Sequence, residues 1–406
     1  MKKEGRISIS NVGFREGQLA LHPVYQDRGV IFSRRTILDL TELNVKMGTD
    51  VIELGSPVRS PFARETIQQV VRLVDRPTST TEFALHYRCT DVDVNAALDA
   101  LPEQSERRRR FHLYYGTYPE LRRGNGNKTN VQLIEAIVTQ SIKIRQIFPN
   151  AYIRFSTENA YLTPIDDLVE ILQGINKHPG PIINAIGFPD TTGFATPEMV
   201  QQRLRILEPY IPRDTDVYVH NHRDRGTAAY NYLIAWQTLP HNLVLDFSPL
   251  TLGERNGIPS LEEIIAAFGP ENTQLFTSSY DLQLLRAINF VTAEYLHMLA
   301  PQTLPLSNLG YVSNVSGVHA TTALRSQRAY HQFPNIFEIE PYEVIASAVV
   351  GKSTIQSYCE NVLQLTINDL LAQEIANNIR ETARAQGNMS PEQAHEIILQ
   401  RTGANP

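Results

Sequence analysis

Cysteine is scarce in this chain of 406 residues: it occurs twice, as Cys89 and Cys359, at widely separated positions. Two distant cysteines form neither a disulfide framework nor a cysteine-based metal site, so a reducing compartment is expected. Long apolar runs are absent as well, and the first residues lack the apolar core of a secretion signal. The sequence therefore predicts a cytoplasmic protein that does not span a membrane.

An excess of positive charge is also missing, because 37 lysine and arginine residues stand against 43 aspartate and glutamate residues. Nucleic-acid binding needs a basic patch or stripe, and the sequence has no such stripe, so no nucleic-acid partner is expected. Hydrophobic residues make up 42% of the chain, which suffices for a large core. The length exceeds that of a plain single domain but suits an α/β barrel with an appended segment.

Short apolar or β-branched runs alternate with longer helical patterns through the first part of the chain. Predicted strands cover residues 7–14, 50–54, 80–86, 111–115, 151–156, 182–188, 216–220 and 243–247. Helical patterns fall between them, for example at 130–147 and at 196–207, where Thr196 is a good N-cap before Pro197. Eight β-then-α units predict an α/β fold, a (β/α)8 TIM barrel, over residues 1–290.

Residues 291–406 are expected to form a mostly helical C-terminal subdomain. The stretch from about 300 to 350 is less regular and contains Ser316-Gly317-Val318-His319, followed eleven residues later by Tyr330. Helical patterns then cover 343–376 and 391–401. The chain thus divides into a barrel and a smaller helical region.

An apolar run at 217–219 ends in His220-Asn221-His222. Side chains alternate between the two faces of a strand, so both histidines point the same way at the end of this predicted strand. Two imidazoles in that arrangement can bind one divalent metal ion. A packed or solvent-facing pair of histidines is the alternative, and the spacing alone does not decide between them.

Polar residues also follow the other predicted strands, where a TIM barrel has its active site. In chain order they are Arg15 and Glu16, Glu53, His86 and Arg88, Gly116 and Thr117, Arg154 with Ser156 and Glu158, Asp190 and Thr191, and Gly253 to Gly257. Any one of them can be an ordinary ion pair or turn residue, but their common position indicates a catalytic site. The four arginines at 107–110 are interpreted as a solvated helix end, with phosphate contact as the alternative.

Taken together, these motifs resemble the acyl-CoA:2-oxoacid condensing enzymes, which include homocitrate, isopropylmalate and citramalate synthases. The resemblance covers residues from about 6 to about 360 and is greatest to the homocitrate synthase branch. Its motifs are Arg15-Glu16-Gly17, Leu85-His86-Tyr87-Arg88-Cys89, Arg154-Phe155-Ser156-Thr157-Glu158, Gly253-Glu254-Arg255-Asn256-Gly257-Ile258, and Ser316-Gly317-Val318-His319 with Tyr330.

The resemblance implies a Claisen condensation of acetyl-CoA with a 2-oxoacid, giving a 2-substituted malate and CoA. A divalent metal ion (zinc, manganese or magnesium) would polarise the ketone, with Glu16, His220 and His222 as its ligands. Arg15 would neutralise charge on the reacting oxygens. His319 would be the base, assisted by Tyr330 and Glu158.

Substrate contacts are likewise implied by the resemblance. Arg154 and Thr191 would bind the oxoacid carboxylate, and the expected substrate-binding residues are Glu53, His86, Arg88, Thr90, Arg154, Ser156 and Thr191. Structural roles are the alternatives: a barrel-end ion pair for Arg15 and Glu16, and a capping role for His319. Tyr330 and Glu158 can equally be structural side chains.

The sequence departs from the family pattern at several positions. Gln18 and Leu19 stand where the family has Glu-Gln, Thr90 stands where the homocitrate pattern has histidine, and Arg223 replaces an asparagine. The loop at 21–35 is longer than in the family. These changes favour a bulkier or less charged 2-oxoacid, such as an arylpyruvate, which would give a benzylmalate of homophenylalanine or homotyrosine assembly. Homocitrate formation from 2-oxoglutarate is the alternative.

Two other functions compete with condensation. A lyase of the hydroxymethylglutaryl-CoA type would share the barrel and the metal ligands, although the segment with His319 argues against it. A non-catalytic protein that binds a metal or metabolite is the other possibility. In the resembled family the segment after the barrel caps the partner's barrel, so a homodimer is expected, and whether His319 and Tyr330 act within one chain or across two stays open.

Overall fold

The computed structural model describes residues 5–22, 24–25, 27–59, 61–101, 107–298, 304–314, 316–339, 342–343, 347–387 and 389–403. The chain forms two compact units, Met1–Ala300 and Pro301–Pro406. None of the helices within the described ranges is long and apolar enough to cross a bilayer.

The first unit is a closed barrel of parallel strands in the order β1 to β8 among the residues described. The strands are β1 Ile7–Asn11, β2 Val51–Leu54, β3 Glu82–Arg88, β4 Arg110–Gly116, β5 Tyr152–Glu158, β6 Ala185–Gly187, β7 Asp216–Val219 and β8 Leu243–Phe247. β1 closes the barrel by pairing with β8, with Ile7 opposite Leu243. The predicted TIM barrel is confirmed, and each of the eight strands overlaps its predicted range.

Helices connect the strands of the barrel, and three more follow its last strand within the described part of the first unit. They are α1 Gly13–Glu16, α2 Arg34–Met47, α3 Pro61–Val74, α4 Asp91–Ala100, α5 Pro119–Gly124, α6 Asn130–Ile147, α7 Ile165–Asn176, α8 Pro197–Leu207, α9 Ala228–Thr238, α10 Leu261–Phe268, α11 Gln274–Thr277 and α12 Gln283–Tyr295. The predicted cap is confirmed, since the Thr196 side chain accepts a hydrogen bond from the Met199 amide at the start of α8.

The first strand is shorter than predicted. It ends at Asn11, whose side chain accepts a hydrogen bond from the Gly13 amide at 2.9 Å. The Val12 carbonyl then accepts from the amides of Arg15 and Glu16, at 2.9 and 2.8 Å, so the chain turns into α1. Arg15 and Glu16 therefore lie on a buried helical turn directly after the strand.

The arginines at 107–110 do not form a solvated helix end, so this interpretation is wrong. α4 ends at Ala100, whereas Arg110 begins β4 at the amino end of the strand. Arg109 is 2% exposed and makes two hydrogen bonds to Asp75, at 2.7 and 2.6 Å. Arg110 pairs with Glu82. The cluster stabilises the end of the barrel opposite to the strand ends that carry the candidate site.

The second unit contains the short parallel pair β9 Ser313–Asn314 and β10 Tyr342–Glu343 and several helices. The helices are α13 Leu309–Val312, α14 Gly317–Arg325, α15 Lys352–Asn361, α16 Asp369–Gln386 and α17 Pro391–Thr402. Its core packs apolar side chains of α15, α16 and α17, including Ile355, Ile379 and Ile398. The helix predicted at 391–401 is confirmed.

The helical pattern predicted over 343–376 is present only in part. Two helices, α15 and α16, cover part of it, and the chain between them is not helical. Asn368 ends this break, because its side chain accepts from the Leu371 amide and caps α16 at its start. Residues 344–346 of the predicted helix lie outside the described ranges.

Candidate active site

A cavity of about 500 Å³ opens at the carboxyl ends of the barrel strands. Most of the residues expected from the sequence line it: Arg15, Glu16, His86, Arg88, Arg154, Ser156, Glu158, Thr191, His220 and His222. They come from α1, from β3 and β5, and from the loops after β6 and β7. The barrel therefore brings together side chains that are more than 200 positions apart in the sequence.

Three of these residues form a candidate metal site. One donor atom each of Glu16, His220 and His222 lies within 4.8 Å of the others. The distance between His220 Nε2 and Glu16 Oε1 is 3.5 Å. Glu16 Oε2 and His222 Nδ1 are buried and have no hydrogen-bond partner among the described residues. Buried oxygen and nitrogen atoms without a hydrogen-bond partner can serve as ligands of a divalent metal ion such as zinc or manganese.

The protonation states of Glu16 and His222 also fit a metal site. Burial on its own would raise the pKa of Glu16, but the positive charge of Arg15 and a hydrogen bond with His220 lower it well below its usual range. Burial and the neighbouring charge of His220 lower the pKa of His222 to about 4. At neutral pH a carboxylate and a neutral imidazole are therefore present, as metal binding requires.

Buried acidic and basic side chains alternate in a closed ring, and four of its six members also line the cavity. Arg15 Nε donates to Glu53 Oε1 at 2.7 Å, and Arg154 Nη1 donates to Glu53 Oε2 at 3.3 Å. The same Arg154 nitrogen donates to Asp246 Oδ2 at 3.2 Å. We call this set the buried charge ring, and its members are Glu16, Arg15, Glu53, Arg154, Asp246 and His220.

His220 and Arg15 close the buried charge ring at Glu16. His220 Nδ1 lies 3.1 Å from Asp246 Oδ2, and Arg15 Nη1 donates to Glu16 Oε1. Burial disfavours the charged form of His220, but its hydrogen bonds to Asp246 and Glu16 raise its pKa. The ring thus joins a candidate metal ligand to both arginines that line the cavity floor.

Two members of this network were missed in the sequence. Asp246 lies on β8 and is completely buried, and so is His112 on β4, whose Nδ1 is 2.5 Å from Glu53 Oε2. Burial lowers the pKa of His112 to about 4, so its neutral imidazole supports Glu53. The signal was available for Asp246, because a charged residue inside the apolar strand 243–247 has to be paired.

Glu158 lies at the rim of the same cavity. Burial and the nearby carboxylate of Glu254 raise its pKa. Its Oε2 is buried without a hydrogen-bond partner among the described residues. Thr191 is held by the loop after β5, since its hydroxyl accepts from the Asn159 amide at 2.8 Å.

Four predicted site residues lie elsewhere. Glu53 is 0% exposed and is not among the described lining residues. Thr90 is not among the described lining residues, because it caps α4 and its hydroxyl bonds to Asp93 at 2.6 Å. His319 and Tyr330 belong to the second unit, where their ring centroids are 4.8 Å apart and both side chains are exposed. The catalytic roles of the last two stay predictions.

Comparison with known sequences places these features in context. A family model described as HMGL-like matches residues 6–291. The mitochondrial homocitrate synthase of Schizosaccharomyces pombe is 25% identical over 386 residues, which span 94% of this chain and 85% of that protein. The 2-isopropylmalate synthase of Buchnera aphidicola is 26% identical over 288 residues, or 70% of this chain and 53% of that protein.

Solved structures share the barrel fold. An HMG-CoA lyase from Bacillus subtilis superposes with a TM-score of 0.59 and 19% identity, covering 75% of this chain and 98% of the lyase. The carboxyl transferase domain of Rhizobium etli pyruvate carboxylase gives a TM-score of 0.51 at 12% identity, with 94% of this chain and 62% of that chain covered. At these identities the likeness concerns the fold alone.

The buried charge ring predicts a large stability loss for Glu53→Gln. Two buried guanidinium groups would lose their shared carboxylate, so we expect the free energy of unfolding at pH 7 to fall by about 3–5 kcal/mol in urea denaturation. Glu135→Gln, on the exposed face of α6, is the control and should leave the unfolding curve almost unchanged.

The pH dependence of this difference has a defined sign. Burial opposes ionisation of Glu53, but Arg15 and the neighbouring histidines lower its pKa well below the usual range. The stabilisation is therefore complete above the unfolded pKa of about 4.3 and is lost as the pH falls through the lower folded pKa. Equal stability of Glu53→Gln and Glu135→Gln at pH 7 would contradict the ring.

Proposed function

The chain belongs to the HMGL-like family, and from this premise we propose that it is an acyltransferase that condenses acetyl-CoA with a 2-oxoacid. The products would be a 2-substituted malate and CoA. The observation that carries the proposal is the cluster of Glu16, His220 and His222 in a cavity that also presents Arg15 and Arg154. Relatives named homocitrate synthase and 2-isopropylmalate synthase support the same reaction class.

Glu16, His220 and His222 would hold a divalent ion, which supplies Lewis acidity toward a ketone oxygen when bound. Arg15 is fixed by its hydrogen bonds to Glu16 and Glu53, so its charge is preorganised to stabilise negative charge on the reacting oxygens. Arg154 is held in the same way and faces the cavity beside Ser156, whose hydroxyl accepts from Arg154 Nε at 2.8 Å. With Thr191, these groups would bind the oxoacid carboxylate.

Glu158 and His319 are the residues proposed to transfer protons. The raised pKa of Glu158 allows this carboxyl to keep its proton to higher pH than an exposed glutamate. His319, packed against Tyr330 in the second unit, is the proposed base for the acetyl methyl group. A homodimer in which this segment serves the partner's barrel is part of the proposal. Water would then hydrolyse the thioester to release CoA.

The charges of the cavity favour an oxoacid with an uncharged side chain. Among the described lining residues, the guanidinium groups belong to Arg15, Arg88 and Arg154. All three are paired with carboxylates, Arg88 through a 2.9 Å hydrogen bond to Asp93. The remaining lining carboxyl groups, on Glu158 and Glu254, would disfavour the binding of a second substrate carboxylate.

Apolar and aromatic groups complete the wall. Leu19, Val58 and Pro189 line the cavity, and the ring of Tyr114 stacks on His86 with centroids 4.7 Å apart. Gln18 is not among the described lining residues, and its side-chain amide donates to the Phe14 carbonyl at 2.6 Å. These surfaces fit an arylpyruvate, which would yield a benzylmalate. Homocitrate formation from 2-oxoglutarate is the second candidate.

The direct test is the release of CoA, detected with a thiol reagent. Purified protein with acetyl-CoA and Mn²⁺ or Zn²⁺ receives pyruvate, 2-oxoisovalerate, 2-oxoglutarate, phenylpyruvate or 4-hydroxyphenylpyruvate in parallel. We expect a signal that a chelator abolishes and that is highest with an arylpyruvate. If no oxoacid leads to CoA release, the condensation is refuted and a lyase activity is favoured. If CoA release is highest with 2-oxoglutarate, only the assignment of an arylpyruvate as substrate is refuted.

The Arg88–Asp93 pair predicts a change in substrate preference for Asp93→Asn. Loss of the carboxylate frees Arg88 to bind an anionic side chain, and a hydrogen bond to a charged group contributes about 1.5–3 kcal/mol. The ratio of kcat/KM for 2-oxoglutarate to that for phenylpyruvate should therefore rise about tenfold or more.

Asp91→Asn is the matched control for this change. Asp91 lies in the same first turn of α4 but is exposed and contacts Gln140 and Lys143 on α6. The ratio of kcat/KM for 2-oxoglutarate to that for phenylpyruvate should be the same in Asp91→Asn as in the unmodified protein. If Asp93→Asn and Asp91→Asn give the same ratio, Arg88 does not face the substrate side chain.

A further inference from the structure

One carboxylate in the barrel contacts both halves of the candidate site. Asp246 lies on β8, is 0% exposed, and was not expected from the sequence motifs. Its Oδ2 receives two hydrogen bonds, from His220 at 3.1 Å and from Arg154 at 3.2 Å. A buried carboxylate shared by a candidate metal ligand and a cavity arginine can position both.

The first contact fixes the tautomer of His220. Because Nδ1 faces the carboxylate of Asp246, the neutral form of His220 that binds a metal ion would have its proton on Nδ1 and its lone pair on Nε2. That Nε2 is the atom 3.5 Å from Glu16 Oε1, on the side of the candidate metal ligands. Metal-binding histidines commonly donate their second nitrogen to a carboxylate, which orients the ring and raises its basicity.

The second contact fixes the guanidinium of Arg154. This side chain is 1% exposed, and its guanidinium carbon lies 4.1 Å from the ring centroid of Tyr218. The stack sets the plane of the group, while Asp246 and Glu53 both accept from Nη1. The guanidinium therefore has one orientation, with Nε on the Ser156 hydroxyl at the cavity.

We propose that Asp246 is a positioning residue that prepares His220 for a divalent metal ion and Arg154 for the carboxylate of the oxoacid. The role of Asp246 in metal binding is inferred from the geometry of Glu16, His220 and His222. The carboxylate half rests on the proposed function. Asp246 would therefore contribute both to binding of the metal and to binding of the oxoacid.

The metal half is tested by zinc affinity without any substrate. Metal-free protein competes with a chromophoric chelator for Zn²⁺, and the dissociation constant is compared among the unmodified protein, Asp246→Asn and Asp216→Asn. Loss of a carboxylate partner of a metal-bound histidine typically weakens binding about 10- to 100-fold. We expect Asp246→Asn to lie in this range and Asp216→Asn to match the unmodified protein.

Asp216 is a suitable control because it is a strand carboxylate outside the buried charge ring. It begins β7 and accepts from the Tyr152 hydroxyl at 2.6 Å. If Asp246→Asn does not fold, as judged by thermal melting, Asp246→Ser supplies the same comparison with a smaller side chain. Equal zinc affinity of the folded Asp246 variant and Asp216→Asn would overturn the proposal.

The carboxylate half has its own readout. At saturating metal, the Asp246 variant should raise KM for the oxoacid more than it lowers kcat, since Arg154 loses its orientation. A lower kcat with an unchanged KM would overturn this half. If no oxoacid releases CoA even with the unmodified protein, the proposed function fails, while the zinc comparison still decides the role of Asp246.

Discussion

The burial of Glu53 constrains the whole barrel interior. A carboxylate with no exposed surface is unfavourable unless hydrogen-bond donors surround it. The charged groups of Arg15 and Arg154 and the neutral imidazole of His112 supply those donors. Arg154 in turn requires Asp246, and Asp246 accepts from His220. Where many TIM barrels fill this layer with branched apolar side chains, this barrel contains a self-compensating set of charges. The hydrogen bonds and ion pairs that offset the cost of burying these charges also fix the orientations of the side chains.

Much of the barrel was predictable because strand burial and helix periodicity are local signals. The strand at 243–247 is correct at both ends, and the helix at 130–147 agrees with α6 residue for residue. The candidate site was predictable for the same reason, since polar residues after parallel strands must meet at one end of a barrel. His220, His222 and Glu16 illustrate this, although Glu16 reaches the site from a helical turn rather than from a strand.

The remaining features depend on partners distant in sequence. Thr90 follows a motif residue, yet capping of α4 and the bond to Asp93 take its hydroxyl away from the cavity. Arg109 and Arg110 looked like a solvated cluster, but Asp75 and Glu82, about thirty positions earlier, neutralise them. No local pattern reveals such pairs. The helical break before Asn368 was missed because residues 362–367 contain no glycine or proline to mark it.

The metal content of the purified protein directly reports whether Glu16, His220 and His222 bind an ion. Protein purified without chelator is analysed for divalent metals together with His220→Ala and with His178→Ala, which removes a histidine near the amino end of β6 outside the candidate site. We expect about one ion per chain in the unmodified protein and in His178→Ala, and loss of that ion in His220→Ala. The same metal content in His220→Ala as in the other two would contradict the assignment of Glu16, His220 and His222 as metal ligands.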